Sequence, residues 1–251
     1  MQITVFAAGS RGDIQPCLAL SRGLQQAGYR VRLAAPQDDG AVVQTHAVDF
    51  YPLRGDVQAI MASDSGRQFM ETGGGNPISS IRAMRALIGP VILSMAGDAF
   101  EACRDADALI CLGVFAAFGH AIAEALHIPI LYVEPAPLLP TRAFPAPSWP
   151  IQRNLGGAHN HLSGLAMLAV VWMWHRPFVQ EFRQRLGLPR FGAAGLYRAV
   201  RATPMLSAYS PRVIPHPPDW PAHVHVTGYY FLDAQDGWQP SPELHAFLEA
   251  G

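Results

Sequence analysis

Apolar residues follow two rhythms along this chain. Short, predominantly apolar runs at residues 3–8, 31–35, 48–53, 108–112 and 128–133 alternate with stretches whose apolar side chains recur every three or four positions. A mostly apolar run of five or six is the mark of a buried strand, and the longer spacing is that of a helix with one buried face. Helices are expected at 14–27, where Ile14, Leu18 and Leu24 share a face before Gly28, and at 40–45. Residues 78–102 predict one or two helices kinked at Gly89-Pro90, followed by a helix at 116–126. A long helical stretch at 155–186 stops at Gly187-Leu188-Pro189, and short strands near 205–209 and 224–227 bring the total to about seven.

Strand, helix, strand in succession forces parallel pairing with right-handed crossovers. The expected fold class is therefore α/β, a Rossmann-like doubly wound parallel sheet over residues 1–232. Three segments break the rhythm. Residues 55–76 are polar and Gly-rich, the texture of a mobile surface segment; residues 134–150 form a Pro-rich loop; residues 233–251 read as a linker with one short helix.

Composition narrows the function classes. Of 251 residues, 50% are hydrophobic and 15% charged, too apolar for a disordered chain and enough to bury a full core. The formal net charge is −1, so no global basic field recruits nucleic acid. The 18 basic residues are all Arg. Three cysteines, Cys17, Cys103 and Cys111, make no CxxC and no zinc-type spacing; they read as reduced, buried thiols of a cytoplasmic protein, with no metal site. The first strand begins at once, without the basic and apolar regions of a signal peptide. The longest apolar stretch, residues 162–174, is short of the roughly 20 that a membrane span needs. Its apolar face allows weak peripheral membrane contact, although it lacks the basic face such helices use.

The turn after the first strand, Gly9-Ser10-Arg11-Gly12-Asp13, lies where an α/β sheet places its working residues. It has neither the Walker spacing nor GxGxxG, so it is no phosphate cradle, and a dinucleotide-dependent oxidoreductase is excluded. Asp13 reads either as a helix cap or first-turn acid, or as a group that does chemistry.

Four segments resemble one enzyme family. Gly9-Ser10-Arg11-Gly12-Asp13-Ile14-Gln15-Pro16 is similar to the GTRGDVQP opening of sterol glucosyltransferases and of the glycosyltransferases that decorate glycopeptide antibiotics. Phe118-Gly119-His120-Ala121-Ile122-Ala123-Glu124-Ala125-Leu126 resembles their WGHxHVAEAL, and Pro140-Thr141-Arg142-Ala143-Phe144-Pro145 their PTRAFP. Ser210-Pro211, Asp219-Trp220-Pro221 and Val226-Thr227-Gly228-Tyr229 look like their SPxxxPxPxDWPxxVxVTGY segment.

The resemblance implies the acceptor-binding half of an inverting GT-B glycosyltransferase. Such an enzyme moves a hexose from a UDP- or dTDP-sugar, a co-substrate held mainly by a C-terminal domain that this chain does not contain. No other cofactor is implied. The acceptor would be an apolar, hydroxylated small molecule such as a sterol or lipid, and the donor domain a partner in cis or in trans. In plant relatives a His in this turn is the base, supported by an Asp after a later strand; here Asp13 stands at the His position and Gly113 where the Asp would fall. The resemblance thus assigns Asp13 alone as the base, with Ser10, Arg11, Gly12, His120 and Arg142 around the cleft. His120, expected in the first turn of its helix, otherwise reads as a structural histidine, and Arg142 equally as an interdomain ion-pair partner or a loop anchor. Met84, Phe144, Trp149, Met167 and Trp172 suit an apolar acceptor, though each alone reads as well as core. The competing reading is a free-standing α/β module that holds an apolar ligand without catalysis.

Overall fold

The computed structural model describes residues 1–55, 63–64, 67, 77–147, 149–232 and 239–250, with side chains at 77–84, 86 and 87 left out. The surface segment expected at 55–76, most of the linker's beginning and the side chain of Met84 therefore lie outside the described residues.

Seven strands form one sheet: β1 (Gln2–Phe6), β2 (Arg30–Pro36), β3 (Asp49–Leu53), β4 (Ala108–Leu112), β5 (Ile130–Glu134), β6 (Met205–Ser207) and β7 (Val224–Val226). Their order is β3-β2-β1-β4-β5-β6-β7 and every neighbouring pair is parallel. The doubly wound expectation holds, and the order reverses between β1 and β4, opening the crevice where such sheets bind ligands.

Alternation along each strand sends side chains to two separate cores. Val5, Leu33, Ile110, Leu112 and Val133 meet α1 (Arg11–Gln26) and α2 (Gly40–Thr45) on one face. Phe6, Ala34, Leu109, Cys111 and Tyr132 meet the other layer. That layer contains α3 (Pro77–Ala102), α4 (Ala116–Leu126), α5 (Gly157–Arg185) and α6 (Ala193–Ala202). A last helix, α7 (Pro242–Glu249), is exposed throughout.

α3 is a single helix with Pro90 inside it, one of the two outcomes expected there, and Phe178 of α5 packs close to its Gly89, where a Cβ would lie 2.3 Å from that ring. One detail differs from the sequence reading. β5 ends on Glu134, not before it, so the residue that seemed to open the Pro-rich loop is the last rung of a central strand. α5 is long and apolar enough to cross a membrane by length and composition. Its buried residues fall in two groups, Asn160 to Gly164 and Trp172 to Arg183, which fasten it to the domain, and 28% of its most apolar stretch is buried.

The three thiols are free and buried, and burial pushes those of Cys17 and Cys103 up to about 12. They are core side chains, not nucleophiles.

Candidate functional site

The turn after β1 is built around one carboxylate. Ser10, in extended conformation, is the N-cap of α1, and Asp13 occupies the third helical position. Asp13 Oδ2 accepts from the Ser10 amide at 2.7 Å and from the Ser10 hydroxyl at 3.0 Å. The other oxygen, Oδ1, makes no hydrogen bond among the described residues, and the side chain is half-buried at the helix N-terminus. An acidic residue in the first turn complements the helix dipole. Gly9 makes it possible: its φ is +134°, and a Cβ there would stand 2.4 Å from Asp13 Oδ2. Asp13 is thus a first-turn acid that braces the cap while Ser10 occupies the cap position itself. Ser10, Arg11 and Gly12 are exposed around it, with Arg11 Nε donating to Gln15.

Next along the sheet edge comes Gly113, after β4, and then Glu134, at the end of β5. A side chain on residue 113 has no room: its Cβ would fall 1.4 Å from Glu134 Oε1. The carboxyl group that the sequence lacks after β4 is therefore supplied to that space from the neighbouring strand. Glu134 is 3% exposed, and its Oε2 has no hydrogen-bond partner. Burial alone raises its pKa to about 8, so the group is protonated at neutral pH. Beside it on β6 lies the buried Ser207, whose hydroxyl faces that of Tyr209 just beyond the strand.

Glu134 and Gly113 line a partly open cavity of 160 Å³ whose other walls are mostly apolar side chains from α4, α5, α6, β6 and the Pro-rich loop. Met167 and Trp172, two of the residues named from the sequence for the acceptor, line it, and so does His175, which was not named. His175 Nδ1 lies 2.9 Å from the Val171 carbonyl, which can only accept, so Nδ1 carries the proton and Nε2 keeps its lone pair. Burial lowers the His175 pKa, with the Val171 bond working the other way, and keeps the ring neutral. A larger groove of 690 Å³ lies between α3 and α5, but it is open to solvent and its Arg54 and Arg185 are paired with Asp98 and Glu181.

The remaining candidates sit elsewhere. His120 is in the second turn of α4, not the first, and stacks against Phe191 with ring centroids 5.6 Å apart. Burial lowers its pKa; Glu124 opposes that effect and Arg183 adds to it. Its neighbours are a structural cluster: Arg183, 2% exposed, holds Glu124 through two hydrogen bonds and lies over the Phe191 ring. Phe144 packs edge-on against Trp220 at 6.4 Å, and Trp149 donates its amide to Ala146. Neither lines the cavity.

Arg142 acts through its backbone. Its amide donates to Asp219 Oδ2 at 2.8 Å, Thr141 Oγ1 donates to Asp219 Oδ1 at 2.6 Å, and its carbonyl accepts from Asn160. The side chain is exposed and makes no hydrogen bond or ion pair among the described residues. Asp219 is thus the tie between two motifs 77 residues apart. Burial works against its charge, but the bonds from Thr141 and Arg142 outweigh that and hold the carboxyl below its usual range. Asp219→Ala should cost about 1.5–3 kcal/mol, read by chemical denaturation, and expose the 134–150 loop to protease.

The profile of the glycosyltransferase family 28 N-terminal domain matches residues 3–145. Over its full length the chain is 32% identical to a sterol 3-beta-glucosyltransferase of Arabidopsis thaliana and spans 41% of that protein. It is 34% identical to O-mycaminosyltylonolide 6-deoxyallosyltransferase of Streptomyces fradiae, again over the full chain and 59% of the relative. Among solved structures, the glycosyltransferase of kitacinnamycin superposes with a TM-score of 0.62 at 16% identity, covering 96% of this chain and 55% of that one. A calicheamicin glycosyltransferase gives 0.60 at 14%, covering 95% and 55%. These two likenesses establish a shared fold, half of a GT-B architecture. The turn at Asp13, the helix carrying His120 and the loop carrying Arg142 all fall within the matched residues, and the chain belongs to the glycosyltransferase family 28 N-terminal domains.

Proposed function

We propose that this chain is the acceptor-binding half of an inverting glycosyltransferase, with Asp13 as the base. The observation that carries the reading is the Asp13 carboxylate at the switch point of the sheet, one oxygen held by Ser10 and the other unengaged. In the reaction the acceptor hydroxyl gives its proton to Asp13 as its oxygen bonds the anomeric carbon. The bond from that carbon to the nucleotide phosphate breaks on the opposite face, and the nucleoside diphosphate leaves. A carboxylate suffices because the leaving group is already activated.

The acceptor is an apolar molecule with at least one hydroxyl, and the cavity lined by Met167 and Trp172 takes one end of it. A volume of 160 Å³ holds about one or two rings, so the rest of the acceptor lies in the crevice toward Asp13. The donor is a UDP- or dTDP-sugar, bound by a second half supplied in cis or in trans. In support, no turn here has a phosphate-cradling pattern, and α7 offers exposed Leu244, Phe247 and Leu248 to a second body. The buried, protonated thiols fit a reducing cytoplasmic setting.

Calorimetric titration of this chain with UDP and with UDP-glucose tests the division of labour. No binding is expected at millimolar ligand, and sugar transfer should appear when the donor half of the Arabidopsis relative is added. Micromolar affinity for UDP would overturn the assignment.

A further inference from the structure

The cavity is not purely apolar, and its polar group is in an unusual state. Glu134 lies on the sheet face that carries Cys111, Tyr132, Ser207 and Tyr209, and it is as buried as the core around it. Among the described residues no cation pairs with it. The titratable groups around it are the Cys111 thiol of β4, the Tyr132 phenol of β5, the Tyr209 phenol beyond β6 and the His175 imidazole of α5. Burial raises the first three and lowers the imidazole, so all four are uncharged near neutral pH. From α4, α6 and the Pro-rich loop only apolar side chains reach the cavity.

An unpaired polar atom in such a place is costly unless something satisfies it. Of the polar groups there, Glu134 alone both lines the cavity and leaves a buried oxygen, Oε2, without a partner; the Ser207 and Tyr209 hydroxyls lie behind it and face each other. A wall built to bind hydrocarbon alone would carry no such carboxyl group. A protonated carboxyl can donate one hydrogen bond and accept others, which suits an uncharged oxygen function and rejects a cation less well solvated than in water.

We propose that Glu134 is a specificity-determining residue of the acceptor site, its carboxyl group hydrogen-bonding an uncharged hydroxyl or carbonyl at the end of the acceptor buried in the cavity. This rests on the reading of the cavity as the acceptor site. It also narrows the substrate class. Asp13 follows β1 and Glu134 ends β5, and these two strands are separated by β4, roughly 10 Å from strand to strand at ordinary spacing. The hydroxyl that reaches Asp13 and the oxygen that meets Glu134 are therefore different groups. The preferred acceptor is an apolar ring system with two oxygen functions at opposite ends, not a hydrocarbon skeleton with one.

Two steroids that differ in one oxygen test this: 5α-androstan-3β-ol and 3β-hydroxy-5α-androstan-17-one, with binding read by equilibrium dialysis. The wild-type chain at pH 6.5 should hold the ketone about tenfold more tightly, the worth of one buried hydrogen bond. Glu134→Gln keeps a donor and should keep the preference; Glu134→Met, similar in length, should abolish it, with thermal melts reporting that both variants fold. At pH 9.5 the wild type loses its donor and its preference, whereas Glu134→Gln retains it. Equal affinity of the two steroids for the wild type, a preference that survives in Glu134→Met, or a wild-type preference indifferent to pH would each overturn the inference. If neither steroid binds any variant, the cavity is not the acceptor site, and the underlying reading falls with it.

Discussion

Glu134→Gln should make the protein more stable at alkaline pH and leave it almost unchanged at acid pH. In the unfolded chain this carboxyl has an ordinary pKa near 4.5; in the folded chain burial raises it to about 8. Between those values the native state keeps a proton that the unfolded state has released. Stability then falls as pH rises, by about 1.4 kcal/mol per pH unit, to a ceiling of about 5 kcal/mol above pH 8. Gln cannot titrate, so its curve lacks this fall. Denaturant melts of wild type and variant at pH 5, 7 and 9 isolate the effect, because every other titrating group is common to both. A stability difference that stays constant from pH 5 to pH 9 would mean that the carboxyl is charged throughout and finds a partner in the folded protein.

The same residue marks the limit of what the sequence discloses. β1, β2, β4 and β5 are legible because strands of a parallel sheet are largely buried on both faces and so appear as mostly apolar runs, even where Thr4 and Arg32 interrupt them. The turn at Asp13 is legible because it follows the first of those runs directly. Glu134 is not. Read along the chain, a Glu followed by Pro marks the end of a strand and the start of a loop, and nothing local says that it is buried. Its burial comes from across the sheet: Gly113 leaves the space, and α5 and the Pro-rich loop close over it. A Gly at the end of one strand beside a Glu at the end of the next was the available signal, but it is visible only once β4 and β5 are paired.

His120 and Arg142 teach the complementary lesson. Both stand in segments that resemble the family closely, yet their surroundings are structural. His120 faces the Glu124–Arg183 pair and the Phe191 ring, and Arg142 is held by main-chain bonds to Asp219 and Asn160. A motif conveys that a segment adopts a certain shape; which of its side chains meets a substrate depends on what packs against the other side. Asp219 shows this best, since its work is to close a loop whose sequence lies far from it. Met167 and Trp172, by contrast, reach the cavity because α5 turns that apolar face toward the sheet edge.

Asp13→Asn, made in a complete enzyme with the donor half present, should lower the transfer rate by roughly 10² to 10⁴ while leaving the melting temperature nearly unchanged. The geometry separates the two effects. Asp13 Oδ2 accepts from both the amide and the hydroxyl of Ser10, and an amide oxygen in the same place accepts from both as well. The brace on the first turn of α1 therefore survives, apart from the few tenths of a kcal/mol, up to about 1, that a full negative charge gains at a helix N-terminus. What the amide cannot do is take the acceptor's proton. Asp13→Ala should lose the rate and also about 0.5–1.5 kcal/mol of stability, because the Ser10 donors then have no side-chain partner. Initial rates and thermal melts on wild type, Asn and Ala variants give both quantities from the same preparations. An Asn enzyme within about threefold of the wild-type rate would reduce Asp13 to a structural brace. Because Glu134 is held about two strand spacings away and is protonated at neutral pH, it could not simply take over as the base.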